Sequence, residues 1–209
     1  PGTMALPGEP SCRPVVACAP GRWGDIPIEP GNTVFVAADA SAAGADGSEA
    51  SPFPTVGQAV SAAPDGGLIA IAAGRYPEEI IIDGKRLRLW GTCPQEVVLA
   101  GRPDATTGTL SFFEGTDASE VHQLALSLPT PSAFGALVVS GARDLVFDGL
   151  WVFDSESRAV LVQDDFGPTS FILTNSLLEN NREVGVIMAG VDGRVENVVV
   201  RGTRPRTGA

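Results

Sequence analysis

GALVVSGARDLVFDGLWVFD (135–154), RAVLVQDDFGPTSFILTNSLLENN (158–181) and VGVIMAGVDGRVENVVVRG (184–202) can be laid over one another. Leu137, Val160 and Val186 then share one column, and Gly149, Asn175 and Asn197 share another, which Gln123 extends backward. A repeat in the low to mid twenties, filled with short apolar runs and closed by Gly, Asp and Asn, is the signature of a solenoid with one coil per repeat. Each coil holds two or three short strands that pair in parallel with the next coil, and inward side chains stack like on like. Asn at a tight corner tolerates the left-handed backbone and can bond its neighbours above and below, so Asn175 and Asn197 read as a structural ladder. The expectation is a right-handed parallel β-helix, all-β, of about six coils.

Working backward, LIAIAAG, EEIIIDG, RLRLWG, EVVLAG, TLSFFEG and VHQLALSL continue the strand pattern. One helix precedes them, predicted over 55–63: Thr55 and Gln58 form a capping box, and Val56, Ala59, Val60 and Ala63 share a face. Pro64-Asp65-Gly66-Gly67 ends it. Residues 1–32 read as an irregular lead-in, and 33–209 as the β-helix domain with the helix as its cap. The run VENVVVRGTRPRTGA offers no cap at the other end. That predicts either a longer parent chain or end-to-end association of two chains through unpaired strand edges.

Composition agrees with many turns and a light aliphatic core: Gly 25, Pro 17 and 6% aromatic residues in 209. With 14 basic against 25 acidic residues, a formal −11, the chain is a poor partner for nucleic acid or anionic membrane. No apolar run is long enough to span a bilayer, and no signal peptide is visible. Cys12 and Cys18, six apart in a Pro- and Gly-punctuated stretch, are expected to close a small disulfide loop, with Cys93 left as an unpaired thiol. A secreted or cell-surface location follows from that pairing.

Residues 52–101, PFPTVGQAVSAAPDGGLIAIAAGRYPEEIIIDGKRLRLWGTCPQEVVLAG, resemble the opening of pectin-lyase-like β-helix proteins, pectin methylesterases among them. That opening has a helix of the form F-x-T-I-x-x-A-V-x-x-A-P followed by A-G-x-Y-x-E. The matching residues are Phe53, Thr55, Ala59, Val60, Ala63, Pro64, Ala73, Gly74, Tyr76 and Glu78. The resemblance implies the fold. Methylesterases of this kind use two Asp, an Arg and Gln residues in Q-D-T-L and D-F-I-F-G motifs. Gln163-Asp164-Asp165-Phe166-Gly167 is similar to pieces of both and completes neither. The activity is therefore not carried over.

Three groups of residues could carry chemistry. Asp164 and Asp165, with Asp154 or Glu156 and with Arg158 close in sequence, could divide acid and base roles, hold a calcium ion, or grip a uronate. His122 and Asp148 fall in one column with Thr174 and Glu196, so the imidazole and carboxylate should lie on adjacent rungs, where they could exchange a proton. Trp151 and Phe153 flank inward Val152 and should point outward side by side as a sugar platform, and Trp90 and Phe166 are further exposed-aromatic candidates. Each group also fits a purely structural role in an acidic solenoid.

These readings favour a secreted or surface-displayed β-helix module that binds glycan or serves as a structural spike. A lyase, esterase or hydrolase acting on acidic polysaccharide is the first alternative, and a self-associating scaffold the second. Calcium is the one cofactor the residues suggest.

Overall fold

The apolar runs from Gly67 onward are three to six residues long, and most stop at residues with positive φ, so the chain turns a corner instead of reversing. In the computed structural model, which describes residues 1–205, this produces a right-handed parallel β-helix with three sheets. Strands β1 (Thr3–Met4) and β2 (Arg13–Pro14) form an antiparallel hairpin ahead of it. β3 (Thr33–Val36) and helix α1 (Val56–Ala62) begin the solenoid. The complete coils are β4 (Gly67–Ile71), β5 (Gly74–Pro77), β6 (Ile80–Ile82); β7 (Leu87–Gly91), β8 (Val97–Ala100), β9 (Leu110–Phe112); and β10 (Glu120–His122), β11 (Ala125–Ser127), β12 (Gly135–Ser140). Then follow β13 (Leu145–Asp148), β14 (Trp151–Phe153), β15 (Arg158–Gln163); and β16 (Ser170–Thr174), β17 (Leu177–Glu179), β18 (Val186–Ala189). β19 (Asp192–Glu196) and β20 (Val199–Arg201) start another, so the chain makes five full coils and part of a sixth.

First, second and third strands of successive coils stack into sheets of seven, six and five strands. Ile69, Leu89, Val121, Phe147, Leu173 and Val195 form one inward column. Tyr76, Leu99, Leu126, Val152, Leu178 and Val200 form a second. Each such side chain fully removed from water contributes about 1.5–3 kcal/mol. At the corner between the seven- and six-stranded sheets Gln123, Gly149, Asn175 and Asn197 all take positive φ, from 49° to 66°. Only the side chains of the last two continue as a ladder, Asn197 Nδ2 donating to Asn175 Oδ1 at 3.2 Å and Asn175 Nδ2 to Asp148 Oδ1 at 2.7 Å.

The helix closes the N-terminal end, with Val56, Ala59 and Ala63 packed on the core. Its first turn is capped from a distance: the Glu78 carboxylate accepts the N–H groups of Val56 and Gly57 at 2.8 and 2.9 Å. Tyr76 is buried and donates its hydroxyl to the Ala72 carbonyl at 2.8 Å. The most specific letters of the opening motif thus serve the fold. At the opposite end Val195 and Val200 are 41% and 48% exposed although their rung neighbours Leu173 and Leu178 are 0% and 1% exposed. Residues 206–209, at the end of the run expected to be uncapped, lie outside the described residues.

The N-terminal segment overturns the expected cysteine pairing. Cys18 is bonded to Cys93, 75 residues on, and Cys12 is free and exposed. Cys93 is therefore not an unpaired thiol. The segment runs lengthwise over the outside of the solenoid, so its chain neighbours are not its spatial ones. Met4 and Val15 cover Leu177 on the six-stranded sheet, and Trp23 and Ile26 cover Phe35, Leu68 and Ala70 on the seven-stranded sheet.

Candidate functional site

The N-terminal segment lies over the β3–β4 end of the seven-stranded sheet and over the six-stranded sheet around β17; the exposed Phe166 follows β15 of the five-stranded sheet, which directs attention to that sheet. Pairing there continues one residue past β6 and β9, since Phe113 N–H donates to Ile82 O and Gly84 N–H to Glu114 O. Alternation turns Asp83 and Phe113 outward, in the row that continues through Ser140 and Gln163. Ser140 is small, and the loop after β15 folds back across it. Phe166 N–H donates to Ser140 Oγ at 3.1 Å, while Thr169 Oγ1 donates within the loop and accepts Gly141 N–H at 2.8 Å. Gly141 has φ 77°, and a Cβ there would lie 2.9 Å from the Phe166 carbonyl oxygen. The absence of a side chain is what lets Phe166 reach Phe113, edge to face with ring centroids 5.8 Å apart.

The result is an open cleft of about 350 Å³ lined by Asp83, Phe113, Glu114 and Phe166. Phe166 is 63% exposed, the most exposed large apolar side chain among the described residues. Apolar rings held open to water by a fixed loop, with carboxylates beside them, suit a ligand that offers one apolar face and hydroxyl or amino donors at its edge. Phe113 was not singled out in the sequence, although strict alternation in Leu110-Ser111-Phe112-Phe113 turns it outward.

Asp164 and Asp165 sit on the same loop, exposed, and Asp165 Oδ2 accepts from Gln163 Nε2 at 2.7 Å. Arg158 does not join them. It begins β15 and they follow its end, so roughly 20 Å of extended chain separates them. Arg158 is held instead by the Ala133 carbonyl and by Glu183 at 3.2 Å. Asp154 is a corner residue with φ 48°, and Glu156 pairs with Arg182 and Arg204. Among the described residues the one group of three potential metal ligands is Cys18, Cys93 and Glu96, whose sulfurs are bonded to each other. Arg158 therefore stands apart from Asp164 and Asp165, and among the described residues no three of the expected carboxylates come together as potential metal ligands.

His122 and Asp148 occupy facing positions on adjacent rungs, with Nδ1 and Oδ2 3.9 Å apart. His122 Nε2 lies 3.1 Å from Glu120 Oε2, and the ring stacks under Trp90 with centroids 4.0 Å apart. His122 beside it, with Thr174 and Asn175 as donors at 2.6 and 2.7 Å, holds the Asp148 carboxyl down to about 2 against partial burial. With its side chain 12% exposed, the imidazole serves as a rung between two carboxylates.

Trp151 and Phe153 do stack outward, with centroids 4.1 Å apart. The platform is not open, however. Gly2 lies against the Trp151 ring, the indole N–H donates to Glu179 Oε2 at 3.1 Å, and Met4 and Val15 pack beside it. Burial raises the Glu179 carboxyl, but the Gly2 N–H, Arg201 and Trp151 outweigh it and lower it below the ordinary range.

The fold defines the class of architecture, a right-handed parallel β-helix with three sheets. No family model and no curated protein matches the chain. Among solved structures, a pectin methylesterase mutant in complex with a hexasaccharide is similar at 16% identity and a TM-score of 0.49, over 84% of this chain and 66% of that one. A deglycosylated pectin methylesterase from Aspergillus niger is similar at 14% identity and a TM-score of 0.40, over 84% of this chain and 77% of that one. The chain thus spans about two thirds of the length of the first of these.

Proposed function

We propose that this chain is a secreted or surface-displayed β-helix module that binds a glycan in the Phe113–Phe166 cleft. The observation that carries the reading is the exposed edge-to-face pair held by the loop after β15, which bonds back to Ser140 and Gly141. The Cys18–Cys93 disulfide supports an oxidising, extracytoplasmic location. The test is a binding titration against a panel of neutral, amino and acidic oligosaccharides. Phe166→Ala and Phe113→Ala should each weaken the best ligand about tenfold, as lost ring contact predicts. Binding that survives both substitutions would overturn the reading.

A second reading rests on the loop that carries Phe166 also carrying Asp164 and Asp165. Those carboxylates would make the module an esterase, lyase or hydrolase acting on polysaccharide. Product release lost in Asp164→Ala with binding retained would establish that reading. Binding without release from any substrate would set it aside.

A further inference from the structure

We infer that the ligand of this cleft is a cationic amino-sugar oligomer, not a neutral glycan or a polyuronate. The inference rests on the glycan reading above and deepens it.

The first ground is the charge of the lining. Asp83 and Glu114 are exposed carboxylates beside the two rings, and the lining contains no basic side chain. A uronate entering there would bring a third negative charge next to two, in a chain whose formal charge is already −11. Neutral sugars would gain only hydroxyl hydrogen bonds. A protonated amine gains a charge-assisted bond to either carboxylate, a stronger contact than a neutral pair.

The second ground is spacing. Asp83 and Glu114 belong to the adjacent rungs of β6 and β9. Adjacent rungs are about 5 Å apart along the solenoid axis. A chain of sugars stacked on Phe113 and Phe166 can therefore turn an amine toward each carboxylate. This favours an oligomer with repeated amines over a single amine.

The experiment compares the folded full chain binding a glucosamine tetramer, its fully N-acetylated counterpart, a galacturonate tetramer and tetralysine. The buffer is of low salt and below about pH 7, where a sugar amine carries its proton. The glucosamine tetramer should bind about three- to tenfold more tightly than the N-acetylated one, the range expected for exposed charge pairs. The galacturonate should bind least. Asp83→Asn combined with Glu114→Gln should erase the preference, so that the two sugars bind alike, with the melting temperature unchanged. Phe166→Ala should weaken both sugars.

Equal affinity for the two sugars, or a preference that survives the double substitution, would overturn the inference and leave the glycan reading standing. Failure of every sugar to bind, or binding indifferent to Phe166→Ala, would overturn the glycan reading and this inference with it. Tetralysine binding as tightly as the glucosamine tetramer would also overturn the inference, because charge alone would then suffice.

Discussion

Glu78 reaches across 22 residues of sequence to cap the helix at Val56, so the end cap and the first complete coil are fastened by one carboxylate. The helix is only seven residues long, too short to be stable by propensity, and it depends on such contacts. Glu78→Ala should cost about 1–2 kcal/mol in denaturant unfolding, the size of a lost N-terminal cap. Glu78→Gln, which keeps an acceptor, should cost less. Equal unfolding midpoints for all three proteins would refute the capping role.

The Cys18–Cys93 bond closes a long loop and ties down the segment that covers parts of two sheet faces. Replacing both cysteines by serine should lower stability by about 2–4 kcal/mol. It should also raise proteolysis within the first 32 residues before the body unfolds. Cys12→Ser should change neither. Mass spectrometry of peptides from unreduced protein would check the pairing directly.

Acid should act through Asp148. Its carboxyl lies at about 2 in the folded chain, against 3.8 for an ordinary aspartate. The folded state therefore binds fewer protons, and the contribution is full above about pH 4 and lost as pH falls toward 2. Asp148→Asn should cost about 1–2 kcal/mol at pH 7 after allowance for solvent screening, and close to nothing at pH 2. A cost independent of pH would show that charge is not its source. The lowered Glu179 carboxyl acts in the same direction on the N-terminal segment.

Asn175 combines a left-handed backbone with two ladder bonds. Asn175→Ala should cost about 2 kcal/mol, from backbone strain and lost hydrogen bonds together. Asn175→Gly should cost roughly half as much, since glycine fills the same corner at position 149. Thermal unfolding of the two variants would rank them.

Gly141→Ala should act on the cleft from beneath. The added methyl meets the Phe166 backbone and sits at an unfavourable φ. Ligand affinity should fall about as far as in Phe166→Ala, even though position 141 does not line the cleft.

The fold was legible because inward stacking repeats itself: Leu137, Val160 and Val186 were aligned in the sequence as they pair in space. The corner column of Gln123, Gly149, Asn175 and Asn197 was legible for the same reason. What depends on chain crossing the repeat was not. Cys18 is six residues from Cys12 and bonds neither near it nor within its own segment. Arg158 and Asp164 look adjacent on the page, but an extended strand holds them apart. Trp151 and Phe153 point outward as alternation requires, yet alternation is silent about Gly2 lying on top of them. Phe166 was visible as an aromatic, but its partnership with Phe113 requires the fold-back over Ser140 and Gly141.

Because the first residues lie along the outside, alternation of inward and outward positions no longer separates tolerant sites from intolerant ones. Leu68, Ala70 and Leu177 point away from the solenoid axis and are nonetheless fully buried. The protein has, in effect, a second interior on its flanks, formed between solenoid and wrapping, and its record of accepted substitutions should be as restrictive there as in the central columns. Freedom to vary, and with it the capacity to acquire new ligands, is concentrated on the five-stranded sheet and on the stretches of the other two that the wrapping leaves open.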